Sequence, residues 1–305
     1  MFAIVGILVV LGAVIGGFLM EHGPIRVLVQ PSEMIIILGA ALGTLLAANP
    51  LHTLKGVIGG VLQVLKGSKF NKKRYLDALK MMYDLFNKIR REGPGSVEND
   101  IEAPDKSKFF AAFPGFVKDH ESRDFVCDTM RMVLMGGVEA FDVDQMMEVD
   151  MDVHSNEMEQ SVGALSAVAD SLPGLGIVAA VLGVVMTMSA LGGPPEEIGK
   201  KVAAALVGTF LGILMCYGFI GPIAANLGKL AHEEHEYLHV LRVTMIAYMK
   251  GTSPLLAVEM GRRAVPGHLR PSFAEFEKCC KQAVGATATA EAAPDAAPEA
   301  AAASS

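Results

Sequence analysis

The sequence contains few charges, and its longest apolar stretches contain almost none of them. Only 19% of the 305 residues are Asp, Glu, Lys or Arg, whereas 51% are hydrophobic. No Asp, Glu, His, Lys or Arg lies within residues 172–191 or 202–227. This composition is typical of a chain with part of its length in lipid. Because ionisable groups usually mark an ion pathway through a membrane, these two stretches either conduct no ions or border a titrating group that a partner supplies.

Other missing features exclude further classes of protein. The net charge is −7, and the largest basic cluster is too short for a nucleic-acid surface; it consists of Lys66, Lys69, Lys72, Lys73 and Arg74. No Gly-x-x-x-x-Gly-Lys loop is present, so the sequence contains no recognisable site for nucleotide hydrolysis. The cysteines have neither metal-ligand spacing nor the pattern of a disulfide framework, which predicts reduced or buried thiols at Cys127, Cys216, Cys279 and Cys280.

Four windows have the length and polarity of membrane-spanning helices: residues 2–20, 31–48, 172–191 and 202–227. The first has no charge and matches the roughly 20 residues that cross a bilayer core. It lacks the basic segment and cleavage site of a signal peptide, so we expect a retained span. Pro31 is placed to start the second helix, with Glu33 in its first turn at the membrane interface.

The spans form two hairpins, and this order predicts the organisation of the chain. We expect an all-α, polytopic membrane protein with four transmembrane helices and a helical cytoplasmic domain. The basic cluster after the second span puts the middle segment and both termini in the cytoplasm. The predicted parts are a transmembrane hairpin (1–50), a cytoplasmic helical domain (51–170), a second hairpin (171–228), a cytoplasmic C-terminal helical region (229–285) and a disordered tail (286–305).

The middle segment has mainly helical patterns. Apolar residues recur at Tyr75, Leu79, Met82, Phe86 and Ile89, which predicts one amphipathic helix. The proline- and glycine-rich residues 91–115 are typical of a loop. Residues 139–159 hold eight acids and no Lys or Arg, which favours the solvated face of a long helix that runs toward the third span.

The predicted spans that lack charged residues contain prolines and many small residues. Pro222 lies deep in the fourth span, cannot donate to the carbonyl of Gly218 and should kink the helix. Pro173 is either a residue of the first helical turn or a functional element of the third span. Three spans carry Gly-x-x-x-Gly, which lets helix backbones approach closely in lipid and supports a multi-subunit bundle: Gly12 and Gly16, Gly39 and Gly43, Gly208 and Gly212.

The residues His235 to His239 fit the pattern H-E-x-x-H, in which two histidines hold zinc and a glutamate acts as general base. Together with four spans, this pattern would suggest an intramembrane zinc protease. However, the motif lies in a polar stretch outside the predicted membrane spans and has no evident third ligand. We therefore expect no metal site and no enzymatic activity.

The layout of two spans, a large cytoplasmic segment, two further spans and a tail, together with "DSLPGLGIVAAVLGVV", "VGTFLGILMCYGFIGPIA" and "RPSFAEFE", resembles the MotA family of bacterial flagellar stator subunits. The resemblance covers nearly all of residues 1–280. The related ExbB and TolQ energisers share the last two spans but typically have one span before their cytoplasmic region. An ExbB-like energiser of an envelope process is therefore the alternative, and the first hairpin favours MotA.

The resemblance implies a function for the acid-free spans. In this family the proton-carrying carboxylate belongs to the single-span partner MotB, around which MotA chains form a ring, expected to be a pentamer, in the lipid of the bacterial inner membrane. Asp170 matches a carboxylate at the inner mouth of the pathway, and the two motif prolines fall on Pro173 and Pro222. Arg90 and Glu98 match the charges that face the rotor protein FliG, although Pro94 and Gly95 depart from the family near Glu98.

The resemblance also implies the coupling ion. Sodium-driven members typically have Thr at the positions of Ala180 and Thr209. A sodium ion must replace its water shell with several oxygen ligands, and Ala180 supplies none. We therefore expect a proton-driven protein without a bound cofactor, whose ion flow generates torque on the rotor.

Overall fold

The computed structural model describes residues 2–189 and 192–279 of the chain. Within these ranges the secondary structure is helical, and its residues form two compact units. The first unit contains Met1–Lys69 and Met151–His235, and the second contains Phe70–Asp150 and the residues from Glu236 onward. Cys280 and the expected disordered tail at 286–305 lie outside the described residues.

Four helices of the described chain are long and apolar enough to cross a membrane, as the sequence predicts. The first hairpin consists of α1 (Phe2–Met20), the short α2 (Ile25–Leu28) and α3 (Pro31–Ala48). Pro31 occupies the first turn of α3, where its missing N–H would have no helical partner. An amphipathic helix, α4 (Leu51–Lys66), follows and ends at Gly67, whose φ of 91° a residue with a β-carbon rarely adopts.

The third span is the second half of a single long helix. After α5 (Lys72–Glu92), α6 (Glu98–Glu102), α7 (Pro114–Val117) and α8 (His120–Met135), α9 runs without interruption from Ala140 to Met188. Pro173 lies inside α9, so the hypothesis that it merely starts a helix is wrong. At this position it cannot donate to the carbonyl of Ala169, and the helix lacks one hydrogen bond. The predicted span end at Leu191 lies outside the described residues.

The fourth span contains a local change of helix type. α10 (Pro195–Met215) leads into one π-helical turn (Cys216–Ile220), which α11 (Gly221–Met249) follows directly. The N–H of Gly221 donates to the carbonyl of Cys216, five residues earlier. Pro222 is the next residue and has no N–H of its own, so the irregularity expected at this proline takes the form of a π turn.

Glycines let α9 and α10 touch backbone to backbone. A β-carbon on Gly176 would lie 2.9 Å from the carbonyl oxygen of Gly208 and 3.1 Å from Cα of Gly212. A β-carbon on Gly183 would lie 2.7 Å from Cβ of Ala205. The predicted close approach at Gly-x-x-x-Gly is thus confirmed for α10. The other two pairs have nothing of the described chain within 4 Å of an added β-carbon: Gly12 and Gly16, Gly39 and Gly43.

The second unit is built around α5. Its predicted apolar stripe is confirmed at Tyr75, Leu79, Met82 and Phe86, which are buried, whereas Ile89 is half-buried. The ring of Phe86 stacks on Tyr248 of α11 at a centroid distance of 4.0 Å. A last helix in this unit, α12 (Pro254–Ala264), packs against α5.

Residues 91–115 are more ordered than a loop. They contain α6, the start of α7 and three short 3₁₀ turns (Pro94–Val97, Pro104–Lys106 and Phe110–Ala112). Ion pairs and aromatic contacts hold these turns, including Lys88–Asp100 at 2.7 Å and Phe110 stacked on Phe116 at 5.3 Å. A pattern of prolines and glycines does not reveal such long-range contacts.

The acidic part of α9 is largely a solvated face, as expected. Most of its carboxylates are exposed. Asp144 and Glu148 are paired with the guanidinium of Arg242 at 2.7 and 3.2 Å. The acidity therefore serves solubility and one local ion-pair network, and the described residues hold no metal cluster there.

Candidate functional site in the α9–α10 hairpin

The predicted pathway residues lie in the first unit, along α9, α10 and the first turn of α11. Asp170 is exposed, and Pro173 follows it one helical turn later. Ala180 lies seven residues beyond Pro173, which corresponds to about 10 Å along the helix axis. The backbone nitrogen of Ala180 would be 3.2 Å from a β-carbon on Gly208, which directly precedes Thr209 in α10.

Both prolines of the predicted pathway remain accessible in the chain. Pro173 is half-buried and Pro222 is exposed. A cluster of small and apolar side chains packs behind Pro173, and it includes Ala169, Leu172, Ala179 and Cys216. Ile37 and Ala41 of α3 belong to the same cluster, so α3, α9 and the π turn all contribute to it.

The burial of Glu33 is a feature of this region that the sequence analysis did not predict. Glu33 does lie in the first turn of α3, but its side chain is only 5% exposed and points into the helix interface. Its Oε2 atom would be 2.7 Å from a β-carbon on Gly208. Oε2 is buried and has no hydrogen-bond partner among the described residues. An acid inside a membrane window was the available signal, because such groups are normally functional.

The second unit carries the two predicted rotor-facing charges. Arg90 is in the last turn of α5, and Glu98 is the first residue of α6. Both side chains are exposed, and neither forms an ion pair with a described residue. The structure therefore keeps both charges available for a partner, and does not pair them with each other.

The backbone around Glu98 is well defined despite Pro94 and Gly95. Gly93 ends α5 with φ of 89°, and Pro94 starts the 3₁₀ turn that leads into α6. Arg131 of α8 donates from Nη2 to the carbonyl of Ile101 at 3.1 Å, which fixes α6 from the other side. Glu98 lines a cleft of about 180 Å³ together with Pro94, Gly95, Ile101, Glu102, Arg131, Leu134 and Met135.

Packing explains part of the H-E-x-x-H pattern. Tyr237, its central residue, is buried, with its ring 5.1 Å from Phe70 and 5.3 Å from Tyr75. Cys127, elsewhere in the second unit, is a buried core residue, and its burial raises the pKa of the thiol to about 12. Across residues 2–189 and 192–279, no three His, Cys, Asp or Glu side chains are grouped to hold a metal ion.

The fold and the residues of the hairpin define a class: a helical membrane protein with two apolar hairpins and a proline within each of its last two spans. Two family models match the chain, motility protein A N-terminal over residues 4–93 and the MotA/TolQ/ExbB proton channel family over residues 117–239. Motility protein A of Escherichia coli strain K12 is 39% identical over 278 residues, which are 91% of this chain and 94% of that protein.

Other relatives agree. The chemotaxis protein LafT of Vibrio parahaemolyticus is 33% identical and covers 90% of this chain and 96% of its own length. The fold matches that of a chain in the structure of C. jejuni MotAB, with a TM-score of 0.73, 16% identity and coverage of 89% and 98%. A chain of the flagellar MotAB stator complex of Bacillus subtilis matches with a TM-score of 0.69, 20% identity and coverage of 87% and 96%.

The chain therefore belongs to the motility protein A family, the stator subunits of the bacterial flagellar motor. This assignment confirms the resemblance seen in the sequence and favours it over an ExbB-like energiser.

Proposed function

We propose that this chain works with a MotB-like single-span membrane protein and forms with it a proton channel that drives flagellar rotation. One observation carries this proposal: α9 and α10 pack closely around the interior Pro173 but carry no ionisable side chain in their apolar stretches. A pathway along these two helices needs a titrating group that they do not supply themselves, and we assign that group to the partner. The structural neighbours, described as MotAB complexes, support a partner that supplies it.

The chain works as a homo-oligomeric ring around that partner, and we propose a pentamer. Much of α1 and α3 is exposed and apolar in the single chain, including Val9, Ile35 and Leu42. The open glycine pairs on these helices leave room for close contact with neighbouring copies, and the remaining surface faces lipid. We place the ring in the bacterial inner membrane with both termini in the cytoplasm, supported by the basic residues after the second span.

The coupling ion is the proton, and the chain needs no cofactor. The methyl group of Ala180 supplies no oxygen at the level of Thr209, so a sodium ion there lacks ligands that replace its water shell. A proton needs only a carboxylate and a path of water. Each proton that crosses about 100 mV releases roughly 2.3 kcal/mol, enough to bias a two-state element in each step.

That element consists of α9 at Pro173 and the start of α11 at Pro222. Protonation of the partner acid changes its fit against the proline surface, and a helix with a missing hydrogen bond at Pro173 can switch between two arrangements. Asp170 marks the inner mouth of the route. The motion passes to the rotor protein FliG through the exposed charges of Arg90 and Glu98. The chain acts by conformational coupling, without enzymatic catalysis.

Complementation tests this function. The gene, introduced into a flagellated strain that lacks its own motility protein A, is expected to restore swimming. Affinity purification of the chain from membranes is expected to bring down a single-span protein with one membrane-embedded Asp. Restored swimming that does not require this partner, or a well-expressed chain that restores no rotation with its cognate partner present, would contradict the proposal.

A further inference from the structure

The structure places a second carboxyl on the proposed ion route, contributed by this chain itself. Glu33 of α3 turns inward, and its Oε2 atom lies against Gly208, the residue before Thr209 in α10. The backbone nitrogen of Ala180 lies against the same glycine. At 5% exposure it is among the most buried charged residues that the structure describes. Asp170 lies ten residues before Ala180 on α9, so the two acids are separated by about 15 Å along the helix axis.

The surroundings of Glu33 hold it in place without a bond to its Oε2 atom. One turn along α3, Ile37 is fully buried in the cluster formed with α9, which fixes the helix that carries Glu33. Gly208 leaves the space that the carboxyl fills, since a β-carbon there would lie 2.7 Å from Oε2. Oε2 is buried and has no hydrogen-bond partner among the described residues, so none of them competes for this oxygen.

Two opposing effects act on the charge of this carboxyl. Burial among apolar helices disfavours the ionised form, whereas the N-terminus of α3, where Glu33 occupies the first turn, favours it. A group that exchanges protons must be able to adopt both forms, because a form that is too stable ends the exchange. A solely structural position would be filled more simply by an apolar side chain, which carries no desolvation penalty.

We propose that Glu33 is a proton-exchanging carboxyl on the outer part of the route, between the external side and the carboxylate of the partner. The inference rests on the proposed function and its membrane orientation. In the first step an O–H bond of a hydronium ion on the outer side breaks as an O–H bond forms on Glu33. In the second step Glu33 returns that proton to water on the path to the partner acid, and becomes a carboxylate again.

Three variants of the complete stator, expressed with its partner, test this role. Glu33→Gln keeps the size of the side chain but cannot exchange a proton, whereas Glu33→Asp is shorter but keeps the acid. Glu21→Gln removes an exposed carboxylate from the same hairpin and is the matched control. The measurement is the rotation speed of the motor at low load, at several external pH values, with stator abundance in the membrane measured in parallel.

Proton exchange predicts that Glu33→Gln lowers the rotation speed on the order of tenfold. This loss is smaller than the usual contribution of a positioned acid, because water provides a slower alternative route for the proton. Glu33→Asp retains more speed than Glu33→Gln and shifts the dependence on external pH, and Glu21→Gln matches the wild type. A packing role predicts the reverse order, since Gln preserves the volume of Glu. Wild-type speed of Glu33→Gln at every pH, or a greater loss in Glu33→Asp with an unchanged pH profile, overturns the inference.

A second measurement tests the same role if the Glu33→Gln stator does not assemble. Infrared difference spectra of the purified wild-type complex after a pH step are expected to contain a carboxylic-acid band that Glu33→Asp shifts and Glu21→Gln leaves unchanged. A wild-type spectrum identical to that of Glu33→Asp counts against Glu33 as an exchanging group. Absence of rotation in the wild type itself contradicts the proposed function instead, so the two failures are distinguishable.

Discussion

Gly212 of α10 packs against the carbonyl of Leu172, the residue directly before Pro173 in α9. A β-carbon on Gly212 would lie 2.5 Å from that oxygen and 2.9 Å from Cα of Gly176. Both contacts are with backbone atoms, which cannot rotate away as a flexible side chain can. The position of Pro173 relative to α10 therefore depends on a missing side chain at Gly212.

The first prediction follows from this contact. Gly212→Ala forces the two helices apart and is expected to destabilise the hairpin by about 1–3 kcal/mol, the usual effect of overpacking. The measurement is the thermal stability of the purified protein in detergent, together with swimming. Gly199→Ala is the control on the same helix, because a β-carbon there meets nothing within 4 Å of the described chain. Equal melting temperatures for the two variants would show that the α9–α10 contact tolerates a methyl group.

The second prediction concerns Pro173. Pro173→Ala restores the hydrogen bond to the carbonyl of Ala169 and makes α9 a more regular helix, since proline in a helix interior is about 3 kcal/mol less favourable than alanine. We expect normal expression, membrane insertion and stability but no motility, because the switching point is removed. Pro195→Ala, in the first turn of α10, is the control and should preserve motility. Normal swarming of Pro173→Ala would refute the hinge.

The third prediction concerns Arg90 and Glu98. Single exposed charge pairs contribute little, so each single neutralisation should weaken motility mildly, whereas Arg90→Glu with Glu98→Lys should weaken it strongly. Swimming speed and torque with an unchanged rotor are the measurements. Lys118→Glu with Glu139→Lys is an exposed double swap in the same unit, with the same net charge, and should have little effect. Full motility of the Arg90 and Glu98 swap would argue against a charged rotor interface.

The fourth prediction concerns the coupling ion. Because Ala180 offers no oxygen ligand, swimming speed should depend on the proton gradient and should not change when external sodium is replaced by potassium at constant pH. A halt of swimming in potassium, with the membrane potential intact, would show that the chain uses sodium.

The fifth prediction is a pH dependence of stability in the second unit. Burial raises the pKa of Asp84 in α5 from 3.8 to about 6, although the charge of Lys80 opposes the shift. Because the folded state binds this proton more tightly than the unfolded state, its stabilising effect is fully present below about pH 4 and is lost as the pH rises through 6.

Asp84→Asn removes this dependence. The variant should gain stability relative to the wild type as the pH rises from 5 to 8, by at most about 2 kcal/mol, because the wild type then carries a half-buried charge. Melting temperatures at both pH values test this, and Asp77→Asn, an exposed carboxylate on the same helix, is the control. The neighbouring thiol of Cys279 also responds to the charge of Asp84, so its alkylation rate provides a second readout. An equal difference at pH 5 and 8 would exclude the raised pKa of Asp84.

Much of this protein follows from its sequence because membrane helices are specified by local properties. About 20 apolar residues without charge form a helix in lipid wherever they occur, since every backbone group must bond within its own segment. The bounds of α1 and α3 and the apolar stripe of α5 were predictable for this reason. The family resemblance also followed from residue order alone, through the motifs around Pro173 and Pro222.

The tertiary structure decided what depends on contacts between distant residues. A proline is compatible with either the start or the interior of a helix, and only the continuity of α9 puts Pro173 in the interior. A glutamate in a first helical turn can face water or protein, and Glu33 faces inward because Gly208, 175 positions away, leaves room for its carboxyl. Likewise, residues 91–115 are held as short helical turns by partners such as Lys88 and Arg131. Local patterns contain no information about such partners, since the space and charge that a side chain meets come from elements far away in the chain.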